Sequence, residues 1–162
     1  MRFGSLSKKQ RKKKMDNTLF LEFLDTTGTQ KEFVNEINTF LLDHDCKCDI
    51  KTAKSGFTVS YILPEIKKTL ATFVCRKTGI KLRIYPQNLG SYERFLDTLP
   101  AKMKKEIIKS SVCKRLINPD DCNPRCIMGY DFVMDGERYR KCRYMAFMPT
   151  LTTKATPISR PF

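Results

Sequence analysis

The chain has 162 residues, 41% of them hydrophobic and 10% aromatic, which suits one folded domain with a real core better than a disordered chain. No apolar run approaches the ~20 residues that cross a bilayer, and no apolar signal segment follows the basic start, so a cytoplasmic protein away from membranes is expected. The formal net charge of +14 points to polyanionic partners, either nucleic acid or an acidic protein.

Residues 1–14, MRFGSLSKKQRKKK, hold seven Lys or Arg and no acid, half of the net charge. Three readings of this head stay open: an arm that touches phosphates without reading bases, a solvated tail, or a translated purine-rich leader with the true start at Met15. All three leave residues 1–15 as a disordered head outside the fold. Asp16 can then cap a short helix over 16–25. Thr29 and Glu32 have the T-x-x-E spacing of a capping box. Phe33, Val34, Ile37, Phe40 and Leu41 follow at helical spacing, which predicts a helix over about 30–43 with an apolar stripe for a sheet.

The period then changes to two. CKCDIKTA and FTVSYIL flank the turn KSG, and TLATFVCR and IKLRIY flank KTG. Phe57, Val59, Tyr61 and Leu63 alternate onto one face, and so do Ile80, Leu82 and Ile84, with Lys81 and Arg83 outward. A four-stranded antiparallel meander with one wet face is the expected product. Ser91 can cap a helix carrying Tyr92, Phe95, Leu96 and Leu99, and Pro100 can open another that ends near Val112. YDFVMDGERYRKCRY carries Asp135-Gly136 between alternating residues, a strong hairpin signal. The fold class is therefore α+β: a meander plus a C-terminal hairpin, with helices packed on one face. The folded domain is expected over 16–148, followed by a flexible tail over 149–162.

Seven cysteines without an export signal argue for reduced thiols or metal ligands over a disulfide framework. Cys113, Cys122, Cys126 and Cys142 form C-x8-C-x3-C-x15-C. Zinc takes four thiolate or imidazole ligands in a tetrahedron, and a closed set of four is structural because no position is left for substrate. Lys114, Arg125 and Arg143 flank three of the four and would offset the charge. Inert buried thiols and redox chemistry are the other readings of the same residues. Cys46, Cys48 and Cys75 fall in strands and read as core or edge residues. His44, the single histidine, reads as a solvated helix-end residue favoured by the dipole.

There is no Walker loop, dinucleotide fingerprint, nucleophile elbow or H-E-x-x-H motif. Asp120 and Asp121 sit in a turn, where Asp caps backbone amides. Arg76, Lys77, Lys81 and Arg83 come with Tyr85 on the second hairpin, and Arg138, Arg140 and Arg143 on the last. Cations interleaved with aromatics on a sheet face can hold phosphates and stack bases, provided the two hairpins converge.

The strings CKCDIKTAKSGFTVSY, FVCRKTGIKLRIY, FLDTLPAKMKKEI, CKRLINPDDCNPRCIMGYDF and KCRYMAF together resemble a family of small bacterial proteins of unknown function. The resemblance spans roughly 30–148 and implies a single α+β domain and no activity. This chain departs from it at both ends: the head before Met15 is extra, and after AFMP the relatives continue with an apolar helix where this chain is polar and proline-rich. Apolar surface left bare there would favour a homodimer. The expected function is a non-enzymatic binding protein with a structural zinc site and a basic face for nucleic acid or an acidic partner. A small thiol-dependent enzyme or redox protein and a dimerising adaptor are the alternatives.

Overall fold

Ser7 and Gln10 open the first helix with reciprocal capping bonds: the Ser7 Oγ accepts from the Gln10 N–H, and the Gln10 Oε1 accepts from the Ser7 N–H. The computed structural model describes residues 7–151. Helix α1 runs Lys8–Thr26, so the basic head is helical from Lys8, and Asp16 lies inside the helix rather than capping it. Lys, Arg and Gln are good helix formers, and the S-x-x-Q box ahead of them outweighs the charge run that reads as a loose tail. Its C-terminal half supplies buried Phe23 and Leu24.

Helix α2, Lys31–Asp43, lies where the apolar period places it. Its capping box does not form. A short 3-10 turn over Gly28–Gln30 makes Gln30 the N-cap, with no side-chain bond to the helix start. His44 is an exposed C-cap whose Nδ1 meets the Phe40 carbonyl at 2.7 Å.

Strands β1 (Lys47–Ala53), β2 (Gly56–Leu63), β3 (Lys68–Arg76) and β4 (Gly79–Ile84) pair in order as an antiparallel meander. The register aligns Ile50, Val59, Phe73 and Leu82 across the sheet, and this face packs under α1 and α2. Gly56 and Gly79 both take φ of 117° at the hairpin turns, a region other side chains rarely adopt. The opposite face carries Ser60, Thr72 and Arg83 in one cross-strand row and Thr58, Val74 and Lys81 in the next. Lys81 and Arg83 thus face away from the core, as the alternation requires.

After β4 the chain builds a second core. A 3-10 turn over Leu89–Tyr92 leads into α3 (Glu93–Asp97), and α4 follows at Ala101–Lys109 with Pro100 as its N-cap. Helix α4 stops at Ser110, whose extended backbone and bond from its Oγ to the Ile107 carbonyl end the helix before Val112. A one-turn helix, α5, covers Lys114–Ile117. Strands β5 (Tyr130–Met134) and β6 (Glu137–Lys141) form the hairpin, with Asp135 and Gly136 both at positive φ. Helix α3 docks on it through the Glu93 and Asp97 carboxylates, which accept the Val133 and Asp135 N–H groups at 3.0 and 2.7 Å. Leu89, Leu96, Ile107, Phe132, Met134 and Phe147 fill the core between. The helices therefore divide between two cores: α1 and α2 cover the meander, while α3 and α4 serve the hairpin.

The expected tail begins as part of the fold. Ile84 and Leu82 donate N–H groups to the Phe147 and Pro149 carbonyls, and Leu151 donates to Ile80, so residues 147–151 lie antiparallel along β4. Phe147 enters the second core and Leu151 the first. Pro149 cannot return a bond to β4, which suits it to an edge position. Residues 152–162, the rest of the expected tail, and residues 1–6 of the head lie outside the described residues.

Candidate functional site: a thiol loop beside an arginine–tyrosine cluster

Residues 111–113 pair with the end of β6. Cys142 donates its N–H to the Ser111 carbonyl at 2.8 Å, and Cys113 donates to Arg140 at 3.0 Å. Val112 bridges Lys141, so Cys113 stands opposite Arg140 and Cys142 opposite Ser111: the two cysteines share one face of this short ladder on a diagonal, with 28 residues between them in the chain. The chain between, 114–129, leaves and returns as a loop whose own turns are built from Asn and Asp. Asn118 Oδ1 accepts from the Asp120 N–H, Asn123 Oδ1 from Arg125, and Asp121 Oδ1 from Cys122. The acids Asp120 and Asp121 are exposed turn residues, as their position after Pro119 predicts.

Two contacts fold the loop back. The Arg115 guanidinium donates to the Cys126 carbonyl, and the Gly129 N–H donates to the Cys113 Sγ at 3.3 Å. The Cys126 thiol is pushed up, first by its own desolvation and then by the fields of Cys122, Cys142 and Cys113, with Arg115 opposing. All four are free thiols. They do not form a closed cage: among the described residues no three Cys, His, Asp or Glu side chains converge on one point as metal ligands would. Arg115 and Gly129 complete this region and were not legible from cysteine spacing.

Cys46, Cys48 and Cys75 lie elsewhere, in or beside the first core. Burial pushes the Cys48 thiol up to about 11, against the Tyr61 hydroxyl that favours its ionised form. The shifted thiols, Cys46, Cys48 and Cys126, all move up, opposite to what a thiolate nucleophile needs.

Directly after Cys142 the chain turns, with the Cys142 carbonyl accepting from Met145 and Ala146. That turn carries Arg143 and Tyr144 to the margin of the meander. The Arg83 guanidinium lies 5.8 Å over the Tyr144 ring, and Tyr144 meets Tyr85 edge-on at 6.0 Å. Arg143 lies 6.0 Å over Tyr85 and 5.1 Å over Tyr130. Two buried polar atoms in this cluster, the Tyr130 hydroxyl and the Arg83 Nε, have no hydrogen-bond partner among the described residues. Burial pushes the Tyr130 hydroxyl up to about 12, Arg143 opposing and the Tyr85 and Tyr144 hydroxyls adding to it.

The two hairpins thus converge, but only in part. Arg83, Tyr85 and Arg143 meet, and Lys81 and Arg76 continue along the same outer face towards the β3–β4 turn, where Lys77 sits. Among the described residues no carboxylate pairs with any of these cations. Arg138 and Arg140 are different. Arg138 holds the Asp131 carboxylate at 2.6 and 2.7 Å and Arg140 approaches it at 3.5 Å, which keeps Asp131 below the usual carboxylate range. The 131–138–140 cross-strand pairing neutralises what the sequence presents as a free basic ladder. Lys141 is also spoken for: it is 7% exposed and donates to the Ile108 and Ser110 carbonyls at the end of α4. Tyr130 and Tyr144 were absent from the sequence-based site; their spacing carries no signal without the fold.

No family model matches the chain, and neither curated proteins nor solved structures yield a match. No helix among the described residues is long and apolar enough to cross a membrane.

Proposed function

We propose that the protein binds single-stranded nucleic acid across the outer face of the meander, with the arginine–tyrosine cluster at the margin of β4 as its anchor. The observation that carries this reading is the interleaving of Arg83, Tyr144, Tyr85 and Arg143, with no acid among the described residues paired to either arginine. Guanidinium groups hold phosphates, and a tyrosine face is a sequence-tolerant platform for an unpaired base. Lys81 and Arg76 extend the positive track beyond the anchor, and the polar row of Ser60 and Thr72 beside Arg83 keeps this face hydrophilic.

The test is fluorescence anisotropy with a labelled single-stranded oligonucleotide over a salt series. The expected result is binding that weakens with salt, with a log–log slope that falls by ~0.7 for each phosphate-contacting cation removed in Arg83→Gln and Arg143→Gln. Tyr85→Ala should weaken binding with little change of slope, by about 1–3 kcal/mol. Equal affinity for heparin and for the oligonucleotide, unchanged by Tyr85→Ala, would reduce the face to a general polyanion surface and refute the reading.

A further inference from the structure

Residues 114–129 pose a problem of stability. None of these sixteen residues is buried, and none belongs to either core. Ile117 and Ile127 are 65% and 62% exposed, so the loop does not hold itself by apolar packing. After the single turn of α5, residues 118–129 run without regular structure, at the ~12-residue length above which such loops in a compact domain are uncommon unless they serve a function. Ordered chain that buries little apolar surface generally needs a covalent or metal staple. The staple has its parts in place. Cys113 and Cys142 stand at the base of the loop, fixed by the 111–113 ladder, and Cys122 and Cys126 lie within it.

We infer that Cys113, Cys122, Cys126 and Cys142 form a structural site for a soft, tetrahedral divalent cation of the zinc class, which pins the 114–129 loop to the end of β6. Three independent features around the sulfurs suit thiolates. The Gly129 N–H already donates to the Cys113 Sγ, the bond that stabilises a metal-bound sulfur. Gly129 has no room for a side chain: a Cβ would lie 2.7 and 2.9 Å from the Cys113 Cβ and Sγ, so the backbone must approach this sulfur closely. Arg115 bridges from the first turn after Cys113 to the Cys126 carbonyl, and its buried Nε has no partner among the described residues, which leaves a donor for a centre that would carry net negative charge. Among the described residues the four sulfurs do not close on one point. Binding would complete that closure, chiefly by movement of Cys122, which is exposed and sits in the loop at φ 71°. Four thiolates leave no open position, so the site would carry no chemistry of its own. The site is separate from the nucleic-acid reading: it uses no residue of the arginine–tyrosine cluster, and either can fail alone.

The test uses the full chain, purified without added metal. Elemental analysis should find about one zinc per chain. Replacement by cobalt should give the visible absorption bands of a tetrahedral thiolate centre. Cys122→Ser is the informative variant, because Cys122 lies outside both cores and the domain will fold without it. It should weaken metal binding by more than the ~100-fold that loss of an outer-sphere partner costs. Cys75→Ser, on the meander, should leave metal content unchanged. Chelation should raise proteolysis within 114–129 while circular dichroism of the sheet persists. Folded protein with less than a tenth of an equivalent of zinc and no cobalt spectrum would overturn the proposal. So would a mass showing a disulfide among the four cysteines in freshly isolated protein, or Cys122→Ser with unchanged affinity.

Discussion

Gly129→Ala tests how tightly the thiol loop is seated, because the space around Gly129 is known atom by atom. The added methyl would press against the Lys141 carbonyl oxygen and stand 2.7 and 2.9 Å from the Cys113 Cβ and Sγ. The conflict is spatial rather than conformational, since the backbone at Gly129 is not in the left-handed region. Two of the three atoms cannot move cheaply. The carbonyl lies at the end of the β5–β6 ladder, and the Cys113 backbone is held by Arg140. Overpacking of this kind costs about 1–3 kcal/mol, and involvement of a backbone oxygen places the expectation at the upper end, about 3 kcal/mol. For a chain of this size that corresponds to a fall in Tm of roughly 6–12 °C. Gly90→Ala is the control: nothing lies within 4 Å of its added methyl, and it should change stability by less than ~0.5 kcal/mol. Thermal and urea denaturation of both variants would check this. A Gly129→Ala protein as stable as Gly90→Ala would refute the close approach on which the thiol loop's geometry depends.

Asp131→Asn should release Arg138 and Arg140, and the proposed reading then predicts tighter oligonucleotide binding and a steeper salt slope in anisotropy. The same carboxyl has a lowered folded-state pKa, so its stabilising effect is present above the ordinary carboxylate value of ~3.9 and is lost as pH falls through the folded value. Tm measured from pH 5 downward should therefore fall less steeply in Asp131→Asn than in the parent. Tyr61→Phe removes the hydroxyl that donates to Asn38 Oδ1 at 2.8 Å and leaves that buried amide unsatisfied, at a cost of about 1–3 kcal/mol by urea denaturation. Lys141→Met keeps the packed stem but strips the Ile108 and Ser110 carbonyls of their donor, and should lower the urea midpoint and expose the end of α4 to hydrogen exchange.

The meander was legible because its signals are local. Period-two alternation, a glycine at each turn and Asp135-Gly136 specify hairpins from residues a few positions apart, and the outward placement of Lys81 and Arg83 follows from the alternation alone. What was not legible depends on contacts distant in sequence. The charge run of α1 concealed a capped helix, because solvated lysines and helical lysines have the same composition. Residues 147–151 lack a strand pattern and are recruited by the open margin of β4. In the candidate site, spacing brought the four cysteines to attention, but only the fold shows that residues 111–113 pair with the end of β6 and bring Cys113 and Cys142 onto one short ladder. Arg138 and Arg140 look like Arg83 and Arg143 in a sequence; the cross-strand Asp131 separates the two pairs.

Pairing of residues 147–151 with β4 also dictates when the sheet can be finished. Sixty-six positions lie between Ile84 and Leu151, and they encode the second core. At ~5–20 residues per second, a nascent chain waits roughly 3–13 s on the ribosome before the last partner of β4 is even synthesised. Throughout that interval the backbone of β4 is a bare template for a neighbouring polypeptide. Slower translation of the second half should therefore lower the yield of soluble protein more than slower translation of the first.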